Sequence, residues 1–248
     1  MAENGERAGE STPGAERMRF VVPSAGKAAD AAARRRERRA ELAEHERRHD
    51  INERLAVLRM DVGSRLDPFT TTLGSYEIYD DEQIQAVAAL RDYCENVEER
   101  FAAGDGLFLI GPPGTGKDHL AIAVARWAVI TLGVSARWVT GPGLRGELRD
   151  GITDGRKEGA TLSPYISADL LILSDPVAPG SRLTDFQVDA MFRIADERNR
   201  RRRPTFVTAN FADDDDAEKL IGSQVLDRLS HGATRRICSW ESYRTKGK

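Results

Sequence analysis

A glycine-rich stretch, residues 111–117, has the groups that bind the phosphates of a nucleotide. Its glycines let backbone N–H groups surround an anion, and its lysine adds a full positive charge near the outer phosphates. The stretch follows an apolar run and precedes a segment of helical periodicity, which is the context that a phosphate-binding loop requires. We therefore predict binding of ATP and Mg²⁺ at this loop. The loop residues are Gly111, Pro112, Pro113, Gly114, Thr115, Gly116 and Lys117.

The residue after Lys117 departs from the usual pattern. A serine or threonine hydroxyl normally binds Mg²⁺ from this position, whereas this chain has Asp118. A second departure follows the apolar run 170–173, where we expect a strand next to the strand of the loop. Such a strand usually ends in two acidic residues that hold the metal and polarise the attacking water. Here the first place holds Ser174 and the second holds Asp175.

These two departures allow two interpretations. A carboxylate stands where a hydroxyl is usual and a hydroxyl where a carboxylate is usual, so Asp118 and Ser174 could have exchanged roles with the charge at the metal unchanged. The alternative is a site that binds nucleotide but has lost efficient hydrolysis. On the first interpretation the metal-binding residues are Asp118, Ser174 and Asp175, and Asp175 is also catalytic.

Composition limits the class of protein. The chain has 248 residues, of which 40% are hydrophobic and 31% charged, and a net charge of -3, so we expect a soluble protein with one main domain and an extension. Neither a secretion signal nor an apolar run of about 18 residues is present, which predicts a cytoplasmic protein without a membrane partner. Cys94 and Cys238 are too few for a disulfide framework or a zinc site, and we expect both to be buried.

The chain divides into three predicted segments. Residues 1–26 lack periodicity and are predicted to be disordered. Residues 27–70 form a charged helical arm whose thin apolar stripe, Ile51, Leu55 and Leu58, serves either a protein partner or internal packing. Residues 71–248 form the ATP-binding domain. Its first helix is expected to begin at 80–81 with one apolar face: Ile84, Val87, Cys94, Val97 and Phe101.

From Gly106 onward, short apolar runs alternate with helical segments. Alternating strands and helices predict a parallel sheet covered on both faces, which is a three-layer α/β fold. The predicted strands are 107–110, 136–139, 170–173, 205–208 and 236–240, and the predicted helices are 117–132, 143–150, 184–199 and 215–229.

Several motifs beyond the loop resemble those of AAA+ ATPases of the DnaC/IstB-like helicase-loader family, over about residues 73–246. The ending 240–244, with Trp, an acid, Ser, Tyr and Arg, is more similar to the DnaC type than to the IstB type. The other matching segments are 75–77 with Gln85, 119–121 after the loop, 203–210 and 226–229.

This resemblance implies roles for four further residues. His119 would belong to the nucleotide site, and Asn210 would orient water against the terminal phosphate. Arg228 would reach the nucleotide of a neighbouring subunit, and Arg244 would lie near the phosphates. Guanidinium groups stabilise the negative charge of the phosphoryl-transfer transition state. Three of these residues have a plainer alternative: a turn residue for Asn210, a surface charge for Arg228 and a solvated charge for Arg244.

The resemblance also implies a function. The ATP-bound protein would self-associate, bind a replicative helicase of the DnaB type through its arm, place that helicase on single-stranded DNA and hydrolyse ATP to release it. One alternative is a transposition helper of the IstB type that coats DNA. Another is a nucleotide-gated binding module without turnover, to which Ser174 points.

Two basic stretches are candidates for contact with DNA. The four arginines at 200–203 exceed what a helix C-terminus needs, so they contact DNA phosphates or form a solvated surface. In the stretch 34–48, glutamates interrupt the arginines, which favours a protein partner over DNA.

Overall fold

The computed structural model describes residues 25–178 and 180–246, and within these residues five strands form one parallel sheet. The strand order is β2-β3-β4-β1-β5. The strand that ends in Ser174 is therefore separated from the loop strand by β4, and the expectation that the two are neighbours is wrong. The strands are β1 (Leu107–Ile110), β2 (Ala136–Thr140), β3 (Leu170–Ser174), β4 (Thr205–Ala209) and β5 (Thr234–Ile237).

Helices cover both faces of this sheet, so the predicted three-layer α/β fold is confirmed. Alternate strand residues point to opposite faces: Leu109 packs in one apolar cluster with α2 and α4, and Phe108 packs in a second cluster with α5, α6, α7, α8 and α9. The helices are α1 (Ala25–Val62), α2 (Asp81–Glu95), α3 (Val97–Ala103), α4 (Lys117–Leu132), α5 (Gly141–Thr153), α6 (Glu158–Ser167), α7 (Asp185–Arg200), α8 (Asp214–Ile221), α9 (Ser223–Ser230) and α10 (Tyr243–Lys246). None of the described helices is long and apolar enough to cross a membrane.

Several predicted elements differ from the observed ones. The last strand begins two residues earlier than expected, and α6 was not predicted. The helix expected over 215–229 is two helices, because Gly222 adopts φ +84° between them. The helical segment that follows Asp80 also ends and restarts at Asn96, and Ile84 is 52% exposed, whereas Val87 and Cys94 are buried.

The chain forms two units, Met1–His45 and Glu46–Lys248. The predicted disorder of residues 1–26 lies outside the described residues except for the first two residues of α1. In the first unit, the side chains of residues 33–45 are exposed. In the second unit, Leu55 and Leu58 are buried in the sheet-covering cluster, so this part of the apolar stripe packs internally.

Asp61, near the end of α1, contacts the edge strand β2 of the sheet. The carboxylate of Asp61 accepts a hydrogen bond from the backbone N–H of Trp138 in edge strand β2 at 3.0 Å. The same carboxylate pairs with Arg137 Nε at 2.6 Å. An occupied N–H group makes an edge strand a poorer template for pairing with another chain.

Arg198 joins elements on the face of the sheet that the second cluster covers. Its side chain is fully buried, and its guanidinium donates five hydrogen bonds. Burial lowers the pKa of Arg198 to about 9, so the group is still charged at neutral pH. The acceptors are the carbonyls of Tyr165 (2.7 Å), Ala168 (2.7 Å), Asp169 (3.3 Å) and Pro204 (2.6 Å), and Thr205 Oγ1 (3.0 Å). They lie at the end of α6 and at the starts of β3 and β4.

We predict that Arg198→Leu lowers the free energy of unfolding by about 3 kcal/mol or more, because four carbonyls, three of them in buried hydrogen bonds, lose a charged donor. The matched control is Arg200→Leu, which removes an exposed arginine paired with Asp196 and should cost no more than about 1 kcal/mol. Urea denaturation of the three proteins measures both values. Equal midpoints for the two variants would contradict the role given to Arg198.

Candidate nucleotide-binding site

The glycine-rich loop begins at the carboxyl end of β1 and is held close to the sheet. Gly111 donates its N–H to the carbonyl of Ala209 at 3.2 Å, at the end of the neighbouring β4. It adopts φ +134°, and a Cβ at this position would collide with the carbonyl of Cys238. Only glycine combines this backbone conformation with this close approach.

Lys117 begins α4, and its side chain turns back into the loop. Its Nζ donates to the carbonyls of Gly111 at 2.7 Å and Pro112 at 2.8 Å, and to Asn210 Oδ1 at 3.0 Å. The residue is buried, and this burial lowers the pKa of the ammonium. A desolvated, oriented ammonium is a strong binding group for phosphate.

Asn210 connects Lys117 to the acidic strand end. Its Nδ2 donates to Asp175 Oδ1 at 2.8 Å, while its Oδ1 accepts from Lys117. Asp175 has φ +44°, a left-handed conformation that is unusual for a residue other than glycine. Burial raises the pKa of the Asp175 carboxyl, and the nearby Asp118 raises it further. The structure therefore brings together three predicted residues, Lys117 at the start of α4, Asn210 after β4 and Asp175 after β3.

Asp118 lies among hydroxyl groups. Its Oδ1 accepts a hydrogen bond from Ser174 Oγ at 3.1 Å and another from Thr208 Oγ1 at 2.6 Å. Ser174 and Thr208 are register partners on β3 and β4, and both are buried. The sequence reasoning missed Thr208. The available signal was a hydroxyl side chain near the carboxyl end of the predicted strand, in the run 205–209.

These groups fit the ligands that the loop implies. Carboxylate and hydroxyl oxygens are donors that Mg²⁺ accepts, and Asp118, Ser174, Asp175 and Thr208 supply them beside the loop. The loop has an oriented ammonium at the start of a helix, which suits a triphosphate. A magnesium ion bound here would neutralise phosphate charge next to the Asp118 carboxylate.

The outer side of the loop is covered by aromatic residues that sequence reasoning did not assign to the site. Tyr76 Oη and Trp240 Nε1 both donate to the carbonyl of Thr115, at 2.7 and 2.9 Å. The backbone N–H of Tyr243 donates to the carbonyl of Gly114 at 2.9 Å. Tyr76 and Trp240 belong to two of the motifs that carry the family resemblance, which was the signal for them.

Arg244 and His119 lie near the loop in different ways. Arg244 follows Tyr243 in α10, and a Cβ at Gly114 would lie 3.6 Å from its Cδ, so the side chain passes the outer loop. His119 Nε2 lies 2.9 Å from the carbonyl of Thr72 and 3.2 Å from Ser75 Oγ. The imidazole therefore contacts the segment that precedes α2.

Arg228 lies near the amino ends of the strands, on the side of the sheet opposite the loop. With Gly106 and Thr205, at the amino ends of β1 and β4, it lines a cavity of about 400 Å³. The guanidinium donates to Asp196 Oδ1 at 3.1 Å and to Asp227 Oδ2 at 2.6 Å. Since the loop follows the carboxyl end of β1, the structure does not bring Arg228 together with the loop of its own chain.

The arginine run 200–203 has internal partners. Arg200 and Arg201 form ion pairs with carboxylates one helical turn earlier, at 2.8 and 3.0 Å. Arg203 donates to the carbonyl of Ile166 at 3.2 Å. These contacts favour the surface alternative over contact with DNA.

Comparison with known proteins places the chain among ATP-binding proteins. The model of the family described as IstB-like ATP binding protein matches residues 32–248. Over 174 residues, the chain is 26% identical to the replicative helicase loader DnaC of Escherichia coli strain K12, covering 69% of this chain and 68% of DnaC. Over 152 residues, it is 28% identical to an insertion sequence ATP-binding protein of Geobacillus stearothermophilus, covering 58% and 57% of the two chains.

A solved structure has the same fold. The crystal structure of the DnaC helicase loader matches with a TM-score of 0.62 at 22% identity, and the match covers 71% of this chain and 99% of that one. The resemblance noted in the sequence is thus confirmed. The chain belongs to the family of IstB-like ATP-binding proteins and has the AAA+ P-loop fold.

Proposed function

We propose that this protein is an ATP-dependent loader that places a replicative helicase on single-stranded DNA. The observation that carries the proposal is the position of the DnaC-like ending: Trp240 and Tyr243 donate hydrogen bonds to the phosphate loop itself. The similarity to the helicase loader DnaC over 69% of the chain supports the same reading. The first unit, with its exposed charged helix, is the proposed contact for the helicase.

The site residues have distinct roles in this proposal. Lys117 and the loop N–H groups bind the outer phosphates, and Asn210 orients a water molecule toward the terminal phosphate. Asp175 polarises that water and accepts a proton from it. Asp118 and Asp175, with the hydroxyls of Ser174 and Thr208, would hold Mg²⁺. Arg244 adds positive charge from the outer side of the loop.

Two alternatives have observations of their own. The family match and the Geobacillus relative support a transposition helper that binds DNA as an ATP-dependent filament. Ser174 in place of a carboxylate supports a module that binds nucleotide without turnover. Capture of a helicase separates the first alternative from the loader, and phosphate release separates the second.

If the protein is a helicase loader, it should capture replicative helicase from the same cell in the presence of ATP but not of ADP. Lys117→Ala should abolish this capture and weaken ATP binding by about a hundredfold, because the variant loses a charge-assisted contact to phosphate. The control is Lys219→Ala, which removes an exposed lysine on α8. Pull-down and calorimetric titration with ATP measure the two effects. Capture that is equal with and without nucleotide would rule out an ATP-dependent loader.

The exchange of roles between Asp118 and Ser174 predicts strong coupling between the two positions. Their side chains are 3.1 Å apart, so Ser174→Asp alone places two carboxylates together, while Asp118→Thr alone leaves a hydroxyl at both positions. Each single variant should lose ATPase activity and Mg²⁺ retention. Together the substitutions rebuild the usual arrangement and should recover activity, with a coupling energy of about 2 kcal/mol.

The measurements are phosphate release and Mg²⁺ titration of nucleotide binding. The proposed exchange requires that chelator weakens ATP binding by the wild-type protein, because Asp118 repels phosphate when no cation is present. A double variant no better than the worse single variant would favour the binding module without turnover.

Arg228 is expected to act on the nucleotide of a second subunit, since it lies at the amino ends of the strands, opposite its own loop. Arg228→Ala should bind ATP normally and hydrolyse it about a thousandfold more slowly. Mixing Arg228→Ala with Lys117→Ala subunits should restore part of the activity, because one type of interface then has both an intact loop and an intact arginine. Absence of recovery at every mixing ratio would assign Arg228 to the surface.

A further inference from the structure

The carbonyl of Thr115, in the middle of the phosphate loop, has two side-chain donors from outside the loop. Tyr76 approaches from the segment before α2, and Trp240 approaches from the segment after β5. All three residues are buried. Burial also raises the pKa of Tyr76, so its hydroxyl keeps the proton that it donates.

The preceding carbonyl is held in the same way. The backbone N–H of Tyr243 donates to the carbonyl of Gly114 at 2.9 Å. The segment that supplies this contact is itself fixed, because Gln83 of α2 donates to Tyr243 Oη at 3.0 Å. The rings of Tyr76 and Tyr243 lie edge to face with centroids 5.5 Å apart.

Peptide geometry gives these outer contacts a consequence on the inner side of the loop. A trans peptide unit is planar, and its C=O and N–H point in opposite directions. When the carbonyls of Gly114 and Thr115 point outward to their donors, the N–H groups of Thr115 and Gly116 point inward. Inward N–H groups are the ones that bind phosphate in such a loop.

The ring of Tyr76 also limits how the loop can move. A Cβ at Gly116 would lie 2.6 Å from Tyr76 Cε2. The ring of Tyr76 therefore lies close against Gly116, while its hydroxyl and the indole of Trp240 hold the carbonyl of Thr115. Rotation of the peptide unit between Thr115 and Gly116 would break both hydrogen bonds to Thr115.

We propose that Tyr76 and Trp240 are positioning residues that orient the phosphate-binding N–H groups of Thr115 and Gly116 through the Thr115 carbonyl. The proposal rests on the nucleotide site of the proposed function and does not depend on a helicase partner. Since either donor alone still holds the carbonyl, the two residues are partly redundant. This redundancy distinguishes the proposal from independent packing roles.

The test compares Tyr76→Phe, Trp240→Phe and the double variant in the full chain. Each single variant should weaken ATP affinity about threefold, within the range of one hydrogen bond. The double variant should weaken it about thirtyfold, more than the product of the single effects. Calorimetric titration with ATP and Mg²⁺ measures affinity, and the amide NMR shifts of Thr115 and Gly116 on addition of pyrophosphate report their orientation directly.

Two matched controls remove the same kinds of hydrogen bond elsewhere. Tyr93 Oη donates to the carbonyl of Asp105 at 2.6 Å, and Trp127 Nε1 donates to the carbonyl of Cys94 at 2.9 Å. The variants Tyr93→Phe and Trp127→Phe should lower the melting temperature by about 2–4 °C, as loss of one bond would, and leave ATP affinity unchanged.

Three results would overturn the proposal: wild-type affinity in the double variant, equal loss of affinity in the controls, or strictly multiplicative single effects. If the double variant does not fold, wild-type affinity in both single variants overturns it. Loss of helicase capture with normal ATP affinity would count against the loader only. Failure of the wild-type protein to bind ATP would remove the site on which both proposals rest.

Discussion

The buried ammonium of Lys117 is the interaction on which the rest of the site depends. It needs hydrogen-bond acceptors because a desolvated charge is costly when unpaired, and it takes them from the loop carbonyls after β1 and from Asn210 after β4. Asn210 in turn holds Asp175 after β3. One cation thereby fixes the relative positions of three strand ends, and the strand order β3-β4-β1 makes this possible because β4 lies between the other two.

Arg228 shows a second consequence of the sheet. The loop follows the carboxyl end of β1, whereas Arg228 lies at the amino ends of the same strands. Arg228 therefore cannot supply positive charge to a nucleotide at the loop of its own chain. Asp196 and Asp227 hold the guanidinium at the surface in one orientation.

The sequence was sufficient for most elements and for the loop, because apolar runs such as Leu107–Ile110 alternate with helical periodicity and local signals decide them. It was not sufficient for strand order, since β4 pairs with β1 across about a hundred residues. Thr208 and Tyr76 were missed for the same reason: their roles arise from register and from long-range contacts. For the run 200–203, the structure adds the ion pairs of Arg200 and Arg201 with acidic residues one helical turn earlier.

The placement of the carboxylate at 118 instead of 174 also has a physical advantage. Position 174 is fully buried at a strand end, where an ionised carboxylate would lose most of its hydration before any metal binds. Position 118 is only partly buried and lies in the first turn of α4, where the helix dipole stabilises negative charge. The hydroxyls of Ser174 and Thr208 then donate to Asp118 from the buried side. The chain thus keeps the Asp118 carboxylate beside the phosphate loop at a lower cost to folding than a carboxylate at position 174 would have.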